Sequence, residues 1–308
     1  MKTPRLILTC ILLTLVAALP AMAGPRTFVS GLGNDANPGT REQPKRTFAS
    51  ALTVTDASGE VVVLDPAGFA SSTLTISKSV SIIVPAGIFG GIRVTSGNAI
   101  TVAAGSNDTV VLRGLTLNSG GGTNGIQINS AKAVRVENCV ISGFSSNGLL
   151  SLSPADLTIK DSLIRDNASG VTLSGPSYGP SGTIERCRIE GTGGIGTGLA
   201  AHDGARIALT ESGVSGFNTG IRAYGSFGSG TRDSWGLLTV NNCTVSRNTL
   251  GVLADSEGQI HLGFSTISLN GTGVRIQNSG EVYSIANNMV LGNLTSEVDG
   301  SIIFVSPK

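Results

Sequence analysis

A glycine followed by alternating apolar residues restarts seven times along the chain, at Gly125-Ile126, Gly148-Leu149, Gly170-Val171, Gly198-Leu199, Gly220-Ile221, Gly251-Val252 and Gly273-Val274. The intervals are 23, 22, 28, 22, 31 and 22 residues, which sets a unit of 22 residues with two expansions. A period in this range marks a repeat architecture, in which one unit cannot bury its own apolar face and stacked neighbours share a continuous core. Each unit holds a short first strand, as in Gly273-Val274-Arg275-Ile276, and a second, as in Val134-Arg135-Val136, Leu157-Thr158-Ile159 and Ile260-His261-Leu262. A polar corner follows (Asn138-Cys139, Asp161-Ser162, Arg186-Cys187, Glu211-Ser212, Asn242-Cys243), then a third strand carrying Ile141, Ile164, Ile189, Val214 or Val245.

Strands this short cannot build a sheet of hairpins. They fit one coil of a solenoid, each strand pairing in parallel with its copy one coil away at ~4.8 Å, with Val, Ile and Leu piled inward. One further column reads Phe144, Asn167, Thr192, Phe217, Asn248 and Asn270. It predicts an aromatic and amide ladder at a corner, where Asn tolerates left-handed backbone and stacked amides bond along the column.

Composition narrows the function classes. Gly supplies 43 of 308 residues, charged residues 13% and aromatics 4%, and the net charge is +1. No basic excess exists to neutralise phosphates, which excludes an electrostatic nucleic-acid binder. A 40% hydrophobic content at almost zero net charge is the opposite of a disordered chain.

Residues 1–23 read as a targeting segment. Lys2 and Arg5 precede an apolar run from Leu6 to Leu19, and Ala21-Met22-Ala23 offers small residues for a signal peptidase, so cleavage after Ala23 is expected. The run is shorter than the ~20 residues of a membrane span, and no later stretch is long and apolar enough. The expected organisation is a bacterial signal peptide at 1–23, an N-terminal strand and capping segment at 24–60, and the solenoid at 61–308. The protein is expected to be secreted or periplasmic, without a membrane span after cleavage, and monomeric.

Cys10 leaves with that segment, while Cys139, Cys187 and Cys243 share one repeat position, two coils apart at each step. That separation, about 10 Å, exceeds disulfide reach, so free thiols are expected. Ser162, Ser212 and Ser265 fill the same position in the intervening coils, as a crowded corner for small residues would require.

The repeat from about Val61 to Phe304 resembles the right-handed parallel β-helix of the pectate-lyase-like (pectin lyase fold) superfamily. The segment Phe28-Val29-Ser30, Gly33-Asn34-Asp35-Ala36-Asn37-Pro38-Gly39-Thr40, Pro44 and Arg46-Thr47-Phe48 is similar to the opening of many exported β-helix proteins. The resemblance implies an all-β solenoid of about ten coils, with a short N-terminal capping strand and with Thr47 to Leu52 as a helix over the open end. It implies little about chemistry, because this fold carries lyases, hydrolases, adhesins and non-catalytic surface proteins alike.

Both expansions are expected in the connection after the first strand, at Ser174 to Gly182 and at Tyr224 to Gly236, with the short His202-Asp203-Gly204 turn between them. Loops stacked on one flank of a solenoid often mark its binding side. Tyr178, Tyr224, Trp235 and His202 gather there, in a chain poor in aromatics. The outward column at the end of the first strand reads Asn129, Leu152, Ser174, His202, Tyr224, Asp255 and Gln277, and the preceding outward position supplies Arg222 and Arg275. His202, Tyr224 and Arg222 could act as base, acid and anion clamp on a uronate sugar, with Asp203, Asp255, Arg275, Tyr178 and Trp235 as substrate contacts.

Against catalysis, the chain has no Gly-His-Gly, no Arg-Ile-Lys and no paired Asp-Asp of the polygalacturonase-like hydrolases, and Arg275-Ile276-Gln277 lacks the lysine. No trio of carboxylates on adjacent coils supports calcium, and no Cys-x-x-Cys or comparable spacing supports another metal, so no cofactor is expected. The expectation is therefore a polysaccharide-binding or surface protein, with a uronate-directed lyase or epimerase as the alternative and a structural or adhesive stalk as a third class.

Overall fold

The computed structural model describes residues 24–175, 179–225 and 234–306. The targeting segment, residues 1–23, lies outside them, and so does Tyr178. Within them the chain winds as a parallel β-helix of about ten turns, built from one twelve-stranded and two ten-stranded sheets. Apart from the N-terminal strand, which pairs with the strand that follows it, each strand pairs with the strand three places along in sequence, as one coil stacked on the next requires. Register holds residue by residue: Val134 faces Leu157 and Val136 faces Ile159 on the second strands, and Ile141 faces Ile164 on the third. These six side chains are buried, as is the stack of Val, Ile and Leu running the length of the solenoid.

The repeat glycine has a spatial reason. A Cβ on Gly148 would lie 2.5 Å from Ile164 Cγ2 and 2.9 Å from the Gly170 carbonyl oxygen, and one on Gly220 would lie 2.6 Å from the Gly251 carbonyl oxygen. The first strand thus enters each coil against the third strand and the next coil's backbone, with no room for a side chain.

The corners differ from the expected assignment of backbone strain. Asn167, Asn248 and Asn270 are not left-handed; the positive φ falls one residue earlier, on Asp166, Arg247 and Leu269. What the column takes from Asn is hydrogen bonding. Asn248 Nδ2 donates to Asn270 Oδ1 (3.0 Å), and Asn270 Nδ2 donates to the Oδ1 of Asn293, a further member, at 3.0 Å. The backbone N–H groups of Phe144 and Phe217 donate to Asn167 and Asn248 in the same way. Thr192 does not join them: it is exposed.

That departure traces to the 28-residue interval. Its extra length splits between two corners, part in the connection between the strands Ser169–Ser174 and Ser181–Glu185, part in the glycine-rich loop between Arg188–Glu190 and Thr197–His202. Only the 31-residue interval places its whole insertion after the first strand, between Thr219–Tyr224 and Leu237–Asn241.

The thiol column stands as the spacing predicts. Cys139, Cys187 and Cys243 are free and buried. Each Cys backbone N–H donates to the serine hydroxyl of the next coil, Ser162, Ser212 and Ser265, at 3.0–3.2 Å. Each thiol turns to backbone carbonyls, as Cys139 does to Leu112 and Glu137.

At the N-terminal end the strand Gly24–Val29 pairs with Thr55–Val63 and extends the twelve-stranded sheet. The helix Phe48–Val54, N-capped by Thr47, buries Phe48, Ala51 and Leu52 over the first coil, with the Phe48 ring 5.1 Å from that of Phe69. Asp35 clamps this segment, accepting from the backbone N–H groups of Arg46 (2.9 Å) and Thr47 (2.8 Å) and from the Thr47 hydroxyl (3.0 Å).

Candidate functional site

The first-strand sheet builds the ridge that the spacing predicts. Ser174 pairs with His202, His202 with Tyr224, and Tyr224 with Asp255, on four successive coils. Parallel pairing sets such neighbours ~4.8 Å apart, so residues more than fifty positions apart in sequence become one surface feature.

The side chains close on one another. The His202 and Tyr224 ring centroids are 5.5 Å apart, tilted by 43°, and the Arg222 guanidinium lies 4.9 Å from the Tyr224 ring centroid. Arg222 Nη2 donates to Asp255 Oδ2 at 2.7 Å. Asp255 also accepts from Asn278 Nδ2 (2.9 Å) and the Ser256 hydroxyl (3.2 Å) on its other oxygen. Asn278 and Ser256 were not singled out in the sequence; both sit in left-handed turns, a signal that short polar residues at corners carry only weakly.

This geometry corrects the expected role of Asp255. It is buried, at 5% exposure, and tied to Arg222, so it is not an outward carboxylate awaiting a substrate. Burial works against its charge, but the hydrogen bonds from Asn278, Arg222 and Gln277 outweigh it and hold the carboxyl below the usual range. Arg222 is likewise engaged, and its Nε is buried with no hydrogen-bond partner. Burial first, and the Arg222 charge second, hold the His202 imidazole below its ordinary value, so the ring is neutral at pH 7.

The remaining candidates divide. Asp203 forms the left-handed turn after His202, its N–H donating to the Tyr224 carbonyl at 3.1 Å. Trp235, half-buried, donates from Nε1 to Glu257 Oε2 at 3.0 Å and so fastens the end of the long insertion to the next coil. Arg275 stands apart: Leu253 lies between it and Arg222 in the register, and its Nε binds Asp299 at 2.8 Å. The register keeps it in the outward column of Arg222, two coils further on. Tyr178 is outside the described residues.

Metal-ligating types do not converge. The three thiols are buried in a corner column with Ser between them, and burial raises all three, Cys139 to about 12. His202 and His261 lie on different sheets. Among the described residues no three His, Cys, Asp or Glu side chains stand together as a metal site.

The three stacked parallel sheets have the fold of a pectate-lyase-like β-helix. Two solved structures share the fold: a pectate lyase, Pel9A, at 12% identity with a TM-score of 0.63, covering 91% of this chain and 79% of that one; and an alginate lyase from Paenibacillus sp. strain FPU-7 at 16% identity with a TM-score of 0.60, covering 89% and 99%. No curated protein matches the chain in sequence. The family described as periplasmic copper-binding protein (NosD) matches residues 71–231, just over half of the 308 residues. The chain belongs to the NosD family. No helix among the described residues is long and apolar enough to cross a membrane.

Proposed function

We propose that this protein is a non-catalytic, glycan-binding β-helix of the bacterial periplasm, exported by cleavage after Ala23 and working as a monomer. A polysaccharide segment lies along the first-strand ridge, over His202 and Tyr224, with Asp203, Trp235 and Tyr178 contributing from the flanking connections. The observation that carries this reading is the packing of Arg222 over Tyr224 and onto Asp255. It neutralises the two charges internally and leaves planar groups stacked side by side, a surface suited to the apolar face of a sugar ring.

The alternative is an eliminating enzyme on uronate glycans, with neutral His202 as base and the Tyr224 hydroxyl as acid. The fold it shares with a pectate lyase and an alginate lyase is what favours it. The engagement of Arg222 with Asp255 weighs against it, since an anion clamp for the uronate carboxylate is already occupied.

The family's name brings copper into question. The donors do not fit: thiols with raised pKa values, buried and held by carbonyls, and histidines on separate sheets cannot close around an ion. Copper is therefore not part of this reading.

A glycan array probed with the mature chain tests it. Binding by the wild type that is lost in Tyr224→Ala supports the ridge. No binding across the array overturns it, and release of unsaturated uronate ends by the wild type but not by His202→Ala replaces it with the lyase.

A further inference from the structure

A second site lies on a different face, on the twelve-stranded sheet near its C-terminal end. A cavity of about 380 Å³ is walled by Gln259, His261, Leu262, Tyr283, Ile285 and Val305 among others. At this level the register sets Gln259 beside Glu281, His261 beside Tyr283 and Leu262 beside Ser284. The volume falls within the range of small-ligand pockets, ~300–1,000 Å³.

The polar groups around it converge. His261 and Tyr283 pair in register, with ring centroids 5.1 Å apart at 82°, edge to face. Glu281 accepts from the Tyr283 hydroxyl (2.8 Å) and from Gln259 Nε2 (2.6 Å), both onto Oε2. Leu262, Ile285 and Val305 supply an apolar wall. Burial lowers His261 below its ordinary value, so it presents a neutral ring with one donor and one acceptor nitrogen at pH 7.

We infer that this pocket binds one neutral pyranose ring. The rings and the aliphatic wall meet the C–H face of the sugar, and Gln259, His261 and the Tyr283 hydroxyl take its hydroxyls. Glu281 does not line the cavity, but its carboxylate bonds two side chains that do, Gln259 and Tyr283, so a negative charge stands beside the pocket. A uronate brought there would face like charge, so the pocket selects against the acidic sugars that suit the fold's lyases. This inference is independent of the ridge, which lies on another sheet.

The test is calorimetric titration of the mature chain with glucose, galactose, mannose and N-acetylglucosamine, and with glucuronate and galacturonate. At least one neutral sugar is expected to bind saturably, with the uronates weaker by about tenfold or more. Glu281→Gln, which keeps the shape, is expected to weaken the neutral sugar about tenfold and to narrow the discrimination. Tyr283→Phe, which keeps the ring, reports the hydroxyl separately, and far-ultraviolet circular dichroism confirms that both variants keep the β-helix. Failure of every neutral sugar to bind, equal binding of uronates, or indifference to Glu281→Gln overturns the assignment. In Tyr224→Ala, which removes the ridge stack, binding that vanishes belongs to the ridge and overturns the pocket; failure of the ridge itself is read from the array alone.

Discussion

Arg222 on one coil reaches across to Asp255 on the next, Nη2 to Oδ2 at 2.7 Å, and this ion pair is far less exposed on its acid side (7%) than on its base side (30%). Asp255→Ala would leave a partly covered guanidinium without its acceptor, in a place where Nε already has none. We expect a loss of about 1–3 kcal/mol in urea unfolding, and a smaller loss for Arg222→Met, whose aliphatic chain keeps cover over the coil. Because the folded carboxyl titrates below the unfolded one, its contribution is complete above about pH 4 and lost as pH falls through the lower folded value. Equal acid sensitivity of the wild type and Asp255→Ala would remove Asp255 from the account.

His202 should titrate below the ordinary histidine value when followed by its ring proton resonances. Its folded value is depressed, so its share of stability is present above about pH 6.5 and is lost as the pH drops below that. Burial, the larger cause, stays in Arg222→Gln, whereas the neighbouring charge goes; the midpoint should move up in that variant. A midpoint that stays put would mean that the guanidinium does not act on the ring.

Gly220→Ala tests the closeness of the coils. The added methyl would meet the Gly251 carbonyl oxygen at 2.6 Å, Asn248 Nδ2 at 2.7 Å and Val245 Cγ1 at 2.8 Å. Two of these are backbone or ladder atoms that cannot move without breaking bonds to the next coil. A cost of about 1–3 kcal/mol is expected in thermal or urea unfolding. Gly213→Ala, where a methyl meets nothing within 4 Å, should be near neutral and is the control.

The three thiols should be silent toward an aromatic disulfide reagent in the native protein at pH 8 and should react together once urea unfolds it. Burial raises them, Cys139 to about 12, and buried thiols are poor nucleophiles. The native chain should likewise lose copper to a modest chelator as fast as buffer does. Rapid modification of any of the three under native conditions would contradict the corner column.

The register of the solenoid was readable in the sequence because one residue of slip would turn every inward side chain outward. That constraint put Ser174, His202, Tyr224 and Asp255 on one line before any coordinates. It says nothing about what happens past the strand ends. Counting residues cannot allot an insertion between two corners, so about half of the six extra residues of the 28-residue interval fall, unannounced by the count, at Gly191 to Gly196, and Thr192 leaves the column expected of it. Alternation marks Asp255 as outward, yet the turn that carries Asn278 folds over it and buries it. Arg275 has the same pattern as Arg222 and also bonds an acid on the following coil, but Asp299 faces it directly in the register, whereas Asp255 lies two residues beyond Leu253, the register partner of Arg222.

The amide column is in two lengths. One joins Phe144 to Asn167, and the other runs Phe217, Asn248, Asn270 and Asn293, each coil hung from the next by a side-chain bond. Between them Thr192 points to solvent, and at that corner the Thr197 backbone N–H donates to the Ser169 hydroxyl where the other coils have an amide of the column. Under tension along its axis the spiral is expected to part first at that level, which would leave two lengths each still tied by its own amides.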